Sequence, residues 1–399
     1  MGRGVSRYGI VDRNTPITTS VKETAGGLPA VISAWKHGVS KMGFVGSTVS
    51  LGRANQKRGF DCPGCAWPDP KHRSPFEYCE NGAKAVSDEA TIKTIPDSFW
   101  QEHSIHALGR KSDQWLNSQG RLSRPLILER DSNHYVPSDW DRAIGIIAKS
   151  LDALEDPNDA YFYTSGRASN EAAYLWQLLA RQYGTNNLPD CSNMCHESSG
   201  VALNESIGIG KGTVRLEDFD KADLIVIVGQ NPGTNHPRML SALKSAKKSG
   251  ASVLSINPLK ETGMRRFRHP QSPIDMLGAG TQISDDHVNI KINGDMALFR
   301  AIGSIILDKG SHDLDFINLN TTGFLDYAKI AQKIDWDLIE HLTGQDRERI
   351  NEISDYFCRS KRTIVCWAMG ITQHKNSVNT IREIMNVLLL KGDIGREGS

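Results

Sequence analysis

The sequence predicts an α/β protein in which parallel-sheet domains follow a smaller cysteine-bearing segment, and three observations carry that reading. A strand, a glycine-bearing loop and a helix recur three times after Trp140. The stretch from Gly59 to about Pro137 is instead dense in Pro, His and Trp and poor in periodic segments, as expected where a ligated metal organises the chain. Within it, Cys62-Pro-Gly-Cys65 and Cys79 present thiols at the spacing of metal ligands.

Taken in order, residues 1–58 are rich in Gly, Ser and Lys with one short apolar patch, Leu28 to Trp35, and read as an arm that wraps or frays. Residues 59–137 form the cysteine-bearing domain, with turns at Arg124-Pro125 and Val136-Pro137. A first α/β domain, 138–190, has Tyr161–Thr164 as a strand, Ser165-Gly166-Arg167 as a turn and Asn170–Tyr183 as a helix with apolar Ala173, Trp176, Leu179 and Ala180. A second, 191–370, contains the buried strand Ala222–Val228, the loop Gly229–Pro237, a helix over Arg238–Ser249 and the strand Ala251–Ile256. That is a βαβ unit, and its crossover implies a parallel sheet. The strand Arg362–Trp367, the loop Ala368–His374 and a helix through Leu390 repeat the pattern, and 371–399 is assigned back to the first α/β domain.

With 399 residues the chain is long enough for two or three domains and a buried site. Its 47 Lys and Arg nearly balance 46 Asp and Glu, which removes the electrostatic case for nucleic acid or an anionic membrane. The opening residues have no apolar signal region and no run reaches the ~18 apolar residues of a membrane span, so a cytoplasmic protein without membrane insertion is expected. Seven cysteines, an odd number spread along the chain, fit metal binding or thiol chemistry better than a secreted disulfide framework.

Three constellations carry chemistry. Cys62, Cys65 and Cys79 suit zinc if His72 joins them, or an iron–sulfur cluster, while a redox dithiol would require a flanking strand and helix that the sequence lacks. The loop Gly229-Gln-Asn-Pro-Gly-Thr-Asn-His-Pro237 follows a parallel strand, where backbone N–H groups can approach phosphates, but it lacks the G-x-G-x-x-G of an ordinary dinucleotide site; the other reading is a well-capped turn. Cys191-Ser-Asn-Met-Cys195-His196 sets a thiol beside an imidazole. Two buried cysteines with a satisfied histidine would explain it, yet Asn186, Asn187, Asp190, Ser192, Asn193 and Glu197 are costly to bury unless a ligand uses their hydrogen bonds.

Together and in this order, these segments resemble the molybdopterin oxidoreductase superfamily, in its formate dehydrogenase alpha-subunit-like branch. The carriers are Cys62-Pro-Gly-Cys65, Thr164-Ser-Gly-Arg-Ala-Ser-Asn-Glu171, Gly184-Thr-Asn-Asn187, Cys191-Ser-Asn-Met-Cys195-His196, Gly229-Gln-Asn231 with Asn235-His-Pro237, and Met369-Gly-Ile-Thr-Gln-His374. The resemblance implies that Cys195 supplies the thiolate to molybdenum or tungsten and His196 the catalytic imidazole, with Cys191 structural. It implies a metal held by two molybdopterin guanine dinucleotides, contacted by Ser165, Asn170 and Glu171, by Gly229, Asn231, Asn235 and His236, by Asn257, by Gly294 and Asp295, and by Gly370, Gln373 and His374. It also assigns Cys62, Cys65 and Cys79 to a 4Fe-4S cluster. Here the sequence departs from the family pattern of C-x2-C-x3-C and a distant Cys-x-Lys-Gly: Asp69 follows in place of a third cysteine and Glu80-Asn81-Gly82 follows Cys79, so Asp69 is assigned as the fourth ligand.

The expected activity is a redox enzyme that takes two electrons from a small substrate, formate, and passes them through the cluster to an electron-transfer partner. An oxyanion reductase of nitrate type, or an inactive wiring subunit that keeps the fold, are the alternatives. Family members continue past the region matched by Ser399 into an arginine-bearing segment and a further domain, so the chain is expected to be a catalytically incomplete portion with apolar surface uncovered.

Overall fold

The computed structural model describes residues 22–65 and 67–399, with only the backbone of Leu277; the first part of the sequence-predicted arm, residues 1–21, lies outside them. Two compact units emerge. The first contains Ala34–Gly52 and Ala83–Asp190, the second Lys22–Ser33, Arg53–Gly82 and Cys191–Ser399. This division differs from the sequence reading at two places. The cysteine-bearing stretch 59–137 is divided after Gly82, and residues 371–399 belong with the second unit. The reason for the latter is packing: the helix Ser377–Lys391 lies against the helices Asp295–Asp308 and Glu197–Ile207 and buries Ile381, Ile384, Val387 and Leu388 in their common core.

In the first unit, the segment expected to wrap or fray is helical, part of a helix over Gly27–Arg53 that breaks at Gly43, where φ is 72°. Ala34, Met42, Ser47 and Leu51 are buried along it. Gly38, which lowers helix propensity, is a close-packing position: a Cβ there would meet the Ser47 hydroxyl and sit 3.6 Å from Leu51. The helix Asn170–Tyr183 forms as predicted, capped by Ser169, whose Oγ accepts from Ala172 N at 3.2 Å, and ended by Gly184 at φ 113°. Tyr161–Thr164 is extended, but it forms only a single parallel bridge, Thr164 to Asp190, because no longer neighbour pairs with it within the unit. A small core of Ala160, Phe162 and Ala180 seals this layer. The helix Trp140–Asp152 has an N-cap in Asp139 but no buried residue, and Trp140, Ile144 and Ile147 are each more than half exposed.

The second unit is built on a four-stranded parallel sheet, ordered in space Asp286–Val288, Ser252–Ile256, Leu224–Val228, Thr363–Trp367. Period two sorts its side chains. Leu224, Val226, Val228, Leu254 and Ile256 face a core shared with the helices Asp295–Asp308, Arg347–Arg359 and Ser377–Lys391. Ile225, Ile227, Val253 and Ile364 face Met239, Leu240 and Leu243 of the helix Met239–Lys248 on the other side. With helices on both faces, the central strand Leu-Ile-Val-Ile-Val is buried along its whole length, which explains its unbroken apolar run. Each such side chain contributes about 1.5–3 kcal/mol by leaving water. A separate small sheet joins Ala25–Gly26 in parallel to Arg266–Arg268, which pairs antiparallel with Thr281–Gln282. No helix among the described residues is long and apolar enough to cross a membrane.

Candidate functional site

The strand order of the second unit creates a switch point. From Leu224–Val228 the chain moves outward through Ser252–Ile256 to Asp286–Val288, then returns to place Thr363–Trp367 on the opposite side of the first strand. Loops leaving the carboxyl ends of strands at such a reversal diverge and leave a crevice, where open α/β sheets bind ligands. The two loops here are those that the sequence singles out, 229–237 and 368–374. They meet through glycine: Gly370 N donates to Gly229 O at 3.1 Å, and a Cβ on Gly229, whose φ is 56°, would sit 2.8 Å from the carbonyl carbon of Gly370.

Each loop is held by its own polar residues. Asn231 Oδ1 accepts from Thr234 N at 3.3 Å, starting the short helix Pro232–Asn235, of which Asn235 is the exposed last residue. Gln230 is buried; its Nε2 contacts His236 Nδ1 at 3.2 Å, and its Oε1 has no partner. Burial holds the His236 pKa below the usual imidazole value, favouring the neutral ring. Asn257, at the end of the next strand, donates to Gln230 O at 3.2 Å, so it ties adjacent loops together.

Gly294 and Asp295 begin the helix Asp295–Asp308. Burial pushes the Asp295 carboxyl up to about 6, and the His374 imidazole pulls it back slightly, which places these two sequence-selected residues in one electrostatic neighbourhood. Asn376, two residues after His374, has a buried Oδ1 without a partner. Gln373 is exposed at the end of the turn Met369–Thr372.

Cys191 and Cys195 open and close a short helical turn, and His196 is the N-cap of the helix Glu197–Ile207. Cys195 is part-buried and His196 exposed. The turn and the helix after it are fastened to the second loop and the strand before it at three points: Thr372 Oγ1 donates to Cys195 O at 2.7 Å, Ser198 Oγ donates to Thr372 O at 3.0 Å, and Trp367 Nε1 donates to Ser199 Oγ at 3.0 Å. The backbone of Cys195, with His196 next to it, is therefore held to the loop leaving Thr363–Trp367. Ser165, Asn170 and Glu171 lie in the first unit, all exposed; Ser165 Oγ accepts from Arg167 N at 3.3 Å, and Asn170 and Glu171 open the helix Asn170–Tyr183.

Cys62 and Cys79 converge on two glycines. A Cβ on Gly82 would lie 2.8 Å from Cys62 Sγ and 3.6 Å from Cys79 Sγ, and one on Gly64 would lie 3.2 Å from both Cys62 Sγ and Gly82 Cα. Gly64 N and Gly82 N donate to the sulfurs of Cys62 and Cys79 at 3.3 and 3.2 Å. The Cys79 thiol is pushed up to about 11, first by burial and then by the charges of Cys65 and Cys62. Three cysteines whose thiolates repel one another, two of them receiving backbone N–H groups, suit a multinuclear cationic cluster, whose charge reverses the repulsion. Among the described residues no group of three or more His, Cys, Asp or Glu is disposed around a single metal ion.

Asp69, expected as a fourth ligand, has both oxygens committed elsewhere, to Arg238 Nη2 at 2.7 Å and Arg73 Nη2 at 3.0 Å. Arg238 escapes the sequence reading, although a signal exists: it follows Pro237 at the start of a helix, where a cation opposes the helix dipole unless a carboxylate offsets it. Asn81 is also missed; its Nδ2 donates to Thr234 O at 2.7 Å, joining the Cys79 turn to the loop 229–237.

The unpartnered Gln230 and Asn376 acceptors, the glycine-to-glycine approach and the thiol beside them suit a polar nucleotide cofactor carrying a soft metal. Comparison with known proteins agrees. Residues 121–399 match the Molybdopterin oxidoreductase family. The chain is 48% identical, over 95% of its length, to an uncharacterized oxidoreductase of Mycobacterium bovis, covering 49% of that protein. It is 43% identical to the protein YdeP of Escherichia coli, over 95% of this chain and 52% of that one. With formate dehydrogenase H of Escherichia coli, identity is 28% over 69% of this chain and 37% of the other. The solved acetylene hydratase from Pelobacter acetylenicus shares the fold, with a TM-score of 0.56 and 19% identity over 69% of this chain and 36% of its own. The chain thus spans about half the length of the curated relatives that match nearly all of it. From the switch-point loops to the match over residues 121–399, the conclusion is the same: the chain belongs to the molybdopterin oxidoreductase family.

Proposed function

We propose that this chain is part of a molybdenum- or tungsten-dependent oxidoreductase of formate dehydrogenase type, cytoplasmic, that passes electrons through an iron–sulfur cluster to a partner protein. The observation that carries the reading is the Cys195-His196 pair, fastened by Thr372 to the loop at the switch point. Similarity to formate dehydrogenase H supports the choice of substrate. The likeness to acetylene hydratase concerns the fold alone, and a shared fold hosts different reactions.

When bound, a bis-molybdopterin guanine dinucleotide would supply a metal that accepts two electrons. Cys195 would ligate that metal through its thiolate, a soft donor suited to it. The close approach of Gly229 and Gly370 would hold the two loops and the capped Asn231 turn against the phosphates, and Asn235, His236, Asn257, Gln373 and His374 would contact polar parts of the nucleotide. Ser165, Asn170 and Glu171 would be further nucleotide contacts, and Asp295, whose carboxyl ionises at about 6, would be a donor below that pH and an acceptor above it. Formate loses a proton and two electrons to become carbon dioxide; the exposed His196 imidazole would take that proton at a ring nitrogen and hand it to solvent. Cys62, Cys65 and Cys79 would hold the cluster, and Asn81 would link their turn to the nucleotide loop.

Metal analysis and anaerobic formate oxidation with an artificial acceptor test the reading. Molybdenum or tungsten together with iron and formate turnover is expected. Turnover of nitrate in place of formate would replace it with an oxyanion reductase, and iron without molybdenum or tungsten would replace it with a wiring subunit.

A further inference from the structure

We infer that the cysteine site holds its iron–sulfur cluster through three thiolates alone, Cys62, Cys65 and Cys79, because a closed carboxylate–guanidinium network withholds Asp69 and leaves one iron on an exchangeable ligand. The inference rests on the cluster reading above and adds to it that Asp69 does not complete the ligand set.

Asp69 lies four residues after Cys65, the position from which a fourth ligand is expected, and Glu77 is the other carboxylate between Cys65 and Cys79. Both are fully engaged. Asp69 Oδ1 receives Arg238 Nη2 at 2.7 Å and its Oδ2 faces Arg73 Nη2 at 3.0 Å. Glu77 Oε1 receives Arg238 Nε at 3.2 Å and Nη2 at 3.0 Å, while its Oε2 receives Ser74 N at 3.0 Å. Arg238 Nη1 completes the set on the Trp67 carbonyl at 3.3 Å.

Two guanidinium groups and two carboxylates cancel in charge, and they are largely withdrawn from water: side-chain exposure is 10% at Arg238, 15% at Glu77 and 17% at Asp69. Turning Asp69 toward iron would leave Arg238 and Arg73 short of their counter-charge in a poorly solvated place, which is the costly way to break a buried pair. A carboxylate is moreover a poorer partner than thiolate for iron in a sulfide cluster. The remaining cysteines belong to other elements: Cys191 and Cys195 to the turn beside the switch-point loop, Cys358 to the helix Arg347–Arg359 and Cys366 to the strand Thr363–Trp367.

An iron without a protein thiolate leaves on mild oxidation. The balanced step is [4Fe-4S]2+ giving [3Fe-4S]+, Fe2+ and one electron, with ferricyanide as the acceptor of that electron. The test uses the full chain purified anaerobically, assayed for iron and sulfide and treated with ferricyanide. Expected results are release of one iron in four with sulfide unchanged, appearance of the paramagnetic resonance of an oxidised three-iron cluster, and its reversal by Fe2+ with a reductant. Asp69→Asn should release the same single iron. A wild-type cluster that keeps all four irons overturns the inference, and so does further iron loss caused specifically by Asp69→Asn, His72→Ala or Glu80→Gln. Protein that binds neither iron nor sulfide is a different outcome, for it overturns the cluster reading itself.

Discussion

Gly370 donates its backbone N–H to the carbonyl of Gly229 at 3.1 Å, so the loops leaving the two strands of the switch point are joined backbone to backbone. A Cβ on Gly370 would lie 2.7 Å from Gly229 Cα, inside any permitted contact. Gly370→Ala must therefore push the loops apart, at a cost of about 1–3 kcal/mol for overpacking, and is expected to lower the pterin content of purified protein severalfold. Gly145 gives the contrast. It lies in the helix Trp140–Asp152 with open space at its Cβ position, so Gly145→Ala should stabilise by roughly 0.5–1 kcal/mol and leave pterin content unchanged. Urea unfolding and pterin fluorescence of the two variants check both statements.

Arg238 is the residue whose loss should be felt most widely around the cysteine turn. Its guanidinium is raised above its ordinary pKa by Asp69 and Glu77 despite burial, so it stays charged and spans both carboxylates. Arg238→Met leaves two poorly solvated carboxylates with only Arg73 beside them, and a loss of about 3–5 kcal/mol is expected. Arg238→Lys keeps the charge but not the fork that reaches Asp69, Glu77 and Trp67 together, so it should recover only part of the loss. Equilibrium urea unfolding measures the difference, and retention of iron through a chelator wash shows whether the cysteine turn has loosened.

Much of the second unit was legible because its signals are local. The run Leu224–Val228 is apolar at every position because both faces are covered, and the loops after it and after Trp367 stand at the switch point that its βαβ reading implies. The helical arm was illegible for the opposite reason. Gly38, Gly43 and Gly46 depress helix propensity, yet Gly38 is required by the close approach of Ser47 and Leu51, a contact with no local signature. A strand, loop and helix repeat looks alike in either domain, and it is the packing of Ser377–Lys391 on Asp295–Asp308, a contact with no local signature, that groups 377–391 with the second unit. Asp69 stands where the family resemblance places a cluster ligand, while its ion pair with Arg238, 169 residues distant in sequence, has no local signal.

Cys195 and His196 separate by what each loses. Cys195→Ser replaces a soft thiolate with a hydroxyl that barely ionises, so molybdenum or tungsten content should fall at least tenfold with turnover. The fold should persist, because the turn is held through Cys195 O and Ser198 rather than through the sulfur. His196→Gln should retain the metal and lose turnover by about 10²–10⁴, the range for a general base. Metal analysis of both variants beside their formate oxidation rates distinguishes the roles. Equal metal loss in both would remove the proton-transfer role from His196.

Asp295 carries a pH dependence whose sign follows from its burial. Its carboxyl ionises at about 6 in the folded protein against an ordinary value of 3.8, so the fold disfavours the charged form. Below pH 4 the group is protonated in folded and unfolded chains alike, and its ionisation costs nothing. As pH rises from 4 through 6 the unfolded chain releases the proton first, and stability falls by about 3 kcal/mol at 1.36 kcal/mol per pKa unit. Asn cannot ionise but keeps the shape, so Asp295→Asn should be more stable than wild type by up to about that amount above pH 7, and the gain should vanish near pH 4. Urea unfolding of both proteins at pH 4, 6 and 8 gives the curve. A constant difference at all three values would mean that the gain does not come from the carboxylate charge, and that His374 and the start of Asp295–Asp308 already provide for it.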